Sequence, residues 1–142
     1  MMTYVRNGGF YQLRLMRGEE VITTLTEFVR KHSIKSGFLL GIGAAEDVVL
    51  GLFEPKKKVY IKRSFKGDCE IANIVGNIAW EGKTPICHVH ATVSTPKLTA
   101  YAGHLFQARV SVTCEVSIVL GTRRLIRAIE PEIGLKLLQL GR

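Results

Sequence analysis

The chain has 142 residues, 46% of them hydrophobic and 23% charged, the size and balance of one globular domain, which excludes a disordered chain. Its most apolar run, Gly37 to Ala45, is far short of the roughly 20 residues a helix needs to cross a bilayer. Twenty Lys and Arg against 12 Asp and Glu give a formal net charge of +8, which draws polyanions to the surface.

The N-terminal MMTYVRNGGFYQL lacks the continuous apolar stretch of a secretory leader, so a cytoplasmic location is expected. GFYQLRLMRG (9–18) alternates Tyr11, Leu13 and Leu15 on one face, as a strand does. EEVITTLTEFVRKHSI switches period, with Val21, Leu25, Phe28 and Val29 forming one stripe of an amphipathic helix. Glu19 and Glu20 fall in its first turn and Arg30, Lys31 and His32 in its last, an order that complements the helix dipole. His32 is thus a helix-terminal residue and not a ligand.

SGFLLGIGAAEDVVLGLFEP, dotted with Gly41, Gly43 and Gly51, predicts two strands or one long bent strand. Its glycines complete neither GxGxxG nor GxxxxGK(S/T), which argues against a phosphate loop. KKVYIKRSF predicts a strand with one wet face, displaying Lys58 and Lys62. CEIANIVGNIAW continues as strand, with Gly76 at a bulge or bend. EGKTP is a turn, ICHVHATVS the next strand, and TPK a turn into LTAYAGHLF. ARVSVTCEVSIVLG is a strand rich in Val and Ile. RRLIRAIEP is a short strand stopped by Pro131, and EIGLKLLQLGR predicts a short helix or a clamp onto a partner subunit.

One helix among many strands gives an α+β class, a largely antiparallel sheet with one main amphipathic helix packed on it. Strands such as VSVTCEVSIVL are apolar on both faces. A single helix cannot cover them, so a second sheet or oligomerisation must. Cys69, Cys87 and Cys114 are widely spaced, form no CxxC, and lie in apolar segments. They are expected as buried free thiols.

Three of the four histidines fall within CHVHATVSTPKLTAYAGH, residues 87–104. On a strand His88 and His90 project from the same face, about 6.5–7 Å apart at Cα. Cys87, Val89 and Ala91 point the other way. His104 comes back beside them if STPK closes a hairpin. Three neutral imidazoles suit zinc or another divalent transition metal. A structural zinc normally has four protein ligands, so three leave a position open. Glu70, Glu81 and Glu115 are candidates for a nearby carboxylate, and spacing does not choose among them. The competing reading is a pair of polar side chains on a wet strand face.

The stretch from Ile74 to Ile118 resembles the core of the PPC (plants and prokaryotes conserved) domain, of the prokaryotic stand-alone type. The elements that carry the likeness are Gly76-Asn77-Ile78, His88-Val89-His90-Ala91, Ala102-Gly103-His104-Leu105 and Thr113-Cys114-Glu115-Val116, with the upstream glycine-dotted strand. Ala102 stands where the family usually has Gly. The resemblance covers residues 9–130 as a single domain, leaving 1–8 as an N-terminal extension and 131–142 as a tail. It implies the antiparallel α+β fold, assembly as a homotrimer, and a metal, usually zinc, on His88, His90 and His104. Plant members carry an R-G-R-P minor-groove element, which this chain lacks. The fold is also similar to that of acetolactate decarboxylase, an analogy of fold alone.

Three functions follow in order. The first is a trimeric binding or regulatory module, touching DNA with weak specificity through Lys56, Lys57, Lys58, Lys62, Arg63, Lys66, Arg123, Arg124 and Arg127. The second is a metal-dependent enzyme of lyase or hydrolase type, with Glu70 or Glu115 as acid or base and Arg109 holding a small anionic substrate. The third is a metal that only pins the hairpin of residues 84–105.

Overall fold

The computed structural model describes residues 1–141. Nine strands and one helix follow in the order β1 (Thr3–Asn7), β2 (Phe10–Met16), α1 (Val21–Lys31), β3 (Ser36–Glu54), β4 (Val59–Phe65), β5 (Cys69–Glu81), β6 (Thr84–Ser94), β7 (Ala100–Gly121), β8 (Ile126–Glu130) and β9 (Leu135–Gln139). They form one sheet in the order β1-β2-β7-β3-β5-β8-β9, with β4 on β3 and β6 bridging β5 and β7. Every pairing is antiparallel except one Trp80–Ile126 contact between β5 and β8. The α+β architecture expected from the sequence is the one observed. Among the described residues no helix is long and apolar enough to cross a membrane.

The glycine-dotted segment is one 19-residue strand, β3, bent by irregular register at Gly41–Gly43, Gly43–Ala45 and Glu46–Leu50. β3, β5, β6 and β7 form a closed circuit of hydrogen-bonded neighbours. The long strands must coil to close it, and bulges supply the bend. The bulge in β5 lies at Ile71–Asn73, not at Gly76. Gly76 stays in register, and a Cβ there would collide with the His88 carbonyl oxygen. Its role is close backbone approach.

The predicted helix is in place, but its acidic residues precede it. Glu20 is the N-cap, its carboxylate accepting from the amides of Ile22 at 3.1 Å and Thr23 at 2.7 Å. The same carboxylate accepts from Ala108 N–H on β7 at 3.1 Å, so one side chain caps the helix and ties it to the sheet. Val21, Leu25, Phe28 and Val29 are buried in one core cluster with Leu13, Leu15, Val89, Val110 and Ile118. His32 closes the helix, packed among Tyr4, Tyr11 and Phe28.

Residues 1–8 and the tail are not loose ends. β1 pairs with β2, and the tail forms β9, hairpinned onto β8, instead of a helix. Gly134 takes φ +82° in the turn, a conformation glycine adopts freely and one that ends the chance of a continuous helix there. β4 is an edge strand, exposed except at half-buried Tyr60 and buried Phe65, because α1 lies over other strands.

Glu20→Ala removes a charged acceptor from three amides. It should cost about 1.5–3 kcal/mol, read as a lower urea midpoint with an unchanged m-value.

Candidate metal centre

The β6–β7 hairpin sets His90 directly opposite His104, and the next row on β5 sets Val75 beside His90 and Asn77 beside His88. Cross-strand neighbours share a face. The three imidazoles therefore converge on the face opposite α1, while Cys87, Val89 and Ala91 are buried on the helix side. Burial pushes the Cys87 thiol up to about 11 and the Cys114 thiol up to about 12. With Cys69, these are free, buried cysteines, protonated and without a role as ligands.

Candidate ligand nitrogens of His88, His90 and His104 lie within 4.8 Å of one another, and among the described residues theirs is the group that could hold a metal ion. Ring centres are 5.1 Å apart for His88–His90, 5.1 Å for His88–His104 and 5.5 Å for His90–His104. Imidazoles bound to one tetrahedral ion through bonds of about 2.0–2.1 Å have ring centres roughly 5 Å apart. The rings thus stand at the separation such an ion requires, and an all-imidazole set suits zinc or a neighbouring transition metal. The Nδ1 of His104 is buried without a hydrogen-bond partner.

Glycine makes this convergence possible. A Cβ on Gly103 would lie 2.8 Å from the Gly51 carbonyl oxygen, so only glycine lets β7 pass β3 here with His104 facing the cleft. Tyr60 and Phe106 flank the His104 ring at 5.3 and 4.7 Å between centres.

The structure gathers a different set of partners from those expected. Glu70 sits opposite Ser94, four residues along β6 from His90, about 13 Å at strand rise. Glu115 pairs with Arg14 and Ile42, eleven residues along β7 from His104, about 35 Å of strand. Arg109 is beside Glu46 and donates to the Gly18 carbonyl at 3.4 Å, also outside the cleft. Glu81 is at its rim, held by Lys136 at 2.6 Å.

Arg127, expected on the basic surface, is instead buried, with 6% of its surface exposed. β8 alternates faces, and the β8–β9 hairpin folds over this position. The guanidinium donates to the Lys136 carbonyl at 2.8 Å, to Asn77 Oδ1 at 2.9 Å and to His88 Nδ1 at 3.0 Å. The strand period of IRAIE was a signal for one inward face. That its inward residue is the arginine depends on the tail, expected as a short helix or a clamp onto a partner subunit and observed as β9 paired with β8. Tyr60 and Lys136 carry no sequence signal for this site, and Asn77 stands out in the sequence only as part of the Gly76-Asn77-Ile78 element, since none belongs to a metal-binding pattern.

The remaining basic residues are on the surface. Lys57 pairs with Glu54 at 3.4 Å and Lys66 with Asp47 at 3.7 Å. Lys58 reaches the Pro131 carbonyl at 3.5 Å. Lys62 lies 3.9 Å from the Phe106 ring centre, Arg63 4.6 Å from that of Tyr101, and Arg124 4.2 Å from that of Trp80. Lys56 and Arg123 have no ion pair among the described residues.

Comparison with known proteins gives the family and the fold. The model of the Plants and Prokaryotes Conserved domain matches residues 2–122. The chain belongs to that family. Its PPC fold is shared with a candidate DNA-binding protein from Bacteroides thetaiotaomicron, at 31% identity, TM-score 0.94, over 98% of this chain and 97% of that one. A candidate DNA-binding protein from Ralstonia eutropha matches at 29% identity and TM-score 0.91, over 97% and 96%. A metal-containing protein from Archaeoglobus fulgidus matches at 29% identity and TM-score 0.86, over 99% of each chain. No curated protein matches the chain.

Burial first, then the positive charges of Arg127, His104 and His90, hold His88 down to about 4 from the usual 6.5. Burial first, then His90, Arg127 and Lys62, lower His104 as well. Between about pH 6.5 and 4 the unfolded chain binds protons that the folded PPC domain refuses, so stability falls as pH falls through that window. Above it the effect vanishes. The melting temperature of metal-free protein should drop between pH 7 and pH 4.5, and His88→Gln should make that drop shallower.

Proposed function

We propose that this PPC protein is a homotrimeric DNA-binding or regulatory module that holds zinc on His88, His90 and His104. The observation that carries the metal is the spacing of the three imidazoles, with the metal-containing relative as support. Residues 9–130 serve as the domain core in this reading.

The trimer is supported by an uncovered apolar face. Phe38, Leu40, Ile42 and Val75 are each 43–56% exposed on the side of the sheet away from α1. Leu40, Val75, His90 and His104 form one cross-strand row. A partner subunit on the apolar part of this row would stand next to the metal.

DNA contact is supported by the edge strand β4 and its flanking turns. Lys56, Lys57, Lys58, Lys62, Arg63 and Lys66 line it, and Arg123 and Arg124 form a second basic turn. Lys62 and Arg63 are held over aromatic rings, which limits the freedom they lose on meeting phosphate. Two structural relatives are described as candidate DNA-binding proteins. The one helix is committed to the core, so no recognition helix is offered and phosphate contacts dominate. Arg127 is not among the contacts.

A second reading, a metal-dependent enzyme acting on a small anion, is favoured by the cleft itself, in which the histidines meet a buried arginine. Zinc bound there would polarise a carbonyl or a water. Within this chain Glu70, Glu115 and Arg109 stand outside that cleft, so this reading leaves them without a catalytic role.

Purified protein should contain about one zinc per chain by mass-spectrometric metal analysis. His88→Ala, His90→Ala or His104→Ala should each remove it while circular dichroism stays that of a β-rich fold. Binding to duplex DNA should weaken linearly in log affinity with log salt, and Lys62→Ala or Arg63→Ala should each reduce the slope by about 1. Lack of a complex at low salt removes the DNA reading.

A further inference from the structure

The histidine cluster opens into a cleft of about 370 Å³, lined among others by Tyr60, Ile86, His88, His104, Arg127 and Leu137. Arg127 and Ser36 are the buried polar side chains among the described residues. No carboxylate within the described residues forms an ion pair with Arg127. Its three bonds go to neutral acceptors, and its Nε is buried with no partner at all. A buried cation without a counter-charge is costly, and such groups are found paired or facing an ion. Arg127 also lies beyond residues 2–122 that match the family model. The hairpin that follows the matched segment delivers it.

Imidazole chemistry sharpens the point. A neutral ring has one lone pair, and Arg127 takes that of His88 at Nδ1, which leaves the proton on Nε2. A metal at His88 needs the same lone pair. Loading the metal therefore displaces one guanidinium bond and adds positive charge beside an already uncompensated cation. An anion resolves both demands. The other cations nearby are already engaged, Lys136 with Glu81 and Lys62 over Phe106. Beside Arg127, Lys136 and the histidines, the cleft is lined by the apolar residues Ile86, Leu135 and Leu137 and by Tyr60.

We propose that this cleft binds a small organic carboxylate, its oxygens on Arg127 and its apolar body against Ile86, Leu135 and Leu137. A single guanidinium on an apolar wall suits a monocarboxylate with a hydrocarbon tail better than inorganic phosphate, which demands several donors. Coupling to zinc rests on the three-histidine reading above. The Arg127 contact does not.

The test is calorimetric titration of the full chain, zinc-free and zinc-loaded, with hexanoate, hexanamide and inorganic phosphate, alongside zinc affinity measured against a chelating dye. Hexanoate should saturate one site per chain, at least about tenfold more tightly than hexanamide or phosphate. Arg127→Gln should lose about tenfold or more in hexanoate affinity, and Arg127→Lys should retain part of it. Zinc should tighten hexanoate binding, and hexanoate should tighten zinc by the same factor. Equal binding of hexanoate and its amide, phosphate binding as tightly as hexanoate, or an Arg127→Gln protein that binds unchanged overturns the proposal. If Arg127→Gln fails to fold, Arg127→Lys and the amide comparison in wild type decide. Hexanoate binding through Arg127 without any zinc binding overturns the metal reading alone. Zinc binding without hexanoate binding overturns this proposal alone.

Discussion

The antiparallel register between β6 and β7 is the constraint on which the rest depends. It places His90 opposite His104. The period of β6 then adds His88 on the same face. A slip of one residue would send the histidines to the helix side and bring Val89 and Ala91 out to water. Apolar burial therefore guards the site. Val89 and Val93 are fully buried in the core, and that burial keeps the polar partners of the alternation on the outer face. Gly76 and Gly103 serve the same register from either flank, since side chains there would collide with the backbones of His88 and Gly51.

Electrostatics around the cleft run in one direction. Burial first, then Arg127 and the neighbouring rings, with Lys62 added at His104, lower His88 and His104 toward the neutral form, in which imidazole offers a lone pair to a metal. The same positive field opposes a second cation unless a negative charge joins it. Carboxylates in this chain serve elsewhere. Glu20 caps the helix, Glu54 and Asp47 pair with surface lysines, and Glu81 holds Lys136. The cleft is left with excess positive charge and apolar walls, a combination that describes a receptor for an anion more closely than a scaffold for a purely structural metal.

The two faces of the sheet divide the labour. One face packs α1 and makes the core. The other carries the histidines next to an apolar surface large enough to call for cover. Basic side chains gather on the edge strand β4, whose unpaired backbone groups would template strand addition; the exposed charges discourage it and invite polyanions. In the proposed function, metal, subunit contact and polyanion contact are thus adjacent but use separate residues.

Much of this was legible from local pattern. The helix stripe of Val21, Leu25, Phe28 and Val29, the alternation through CHVHATVS and the return of His104 all follow from period and turn chemistry, which are properties of short stretches. The family motif reinforced them. What short stretches could not show was who stands beside whom at long range. Arg127 reads as one more basic residue in a run of them, yet the hairpin of β8 with β9 turns it inward to His88, 39 residues away along the chain. Glu70 and Glu115 read as plausible companions of the histidines, yet strands of 13 and 22 residues carry them off to other parts of the sheet. The sequence by itself determined that these imidazoles share one face, because alternation is built into each strand. The tertiary structure alone decided the company they keep, because the coiling of long strands and the docking of a terminal hairpin depend on contacts no local window contains.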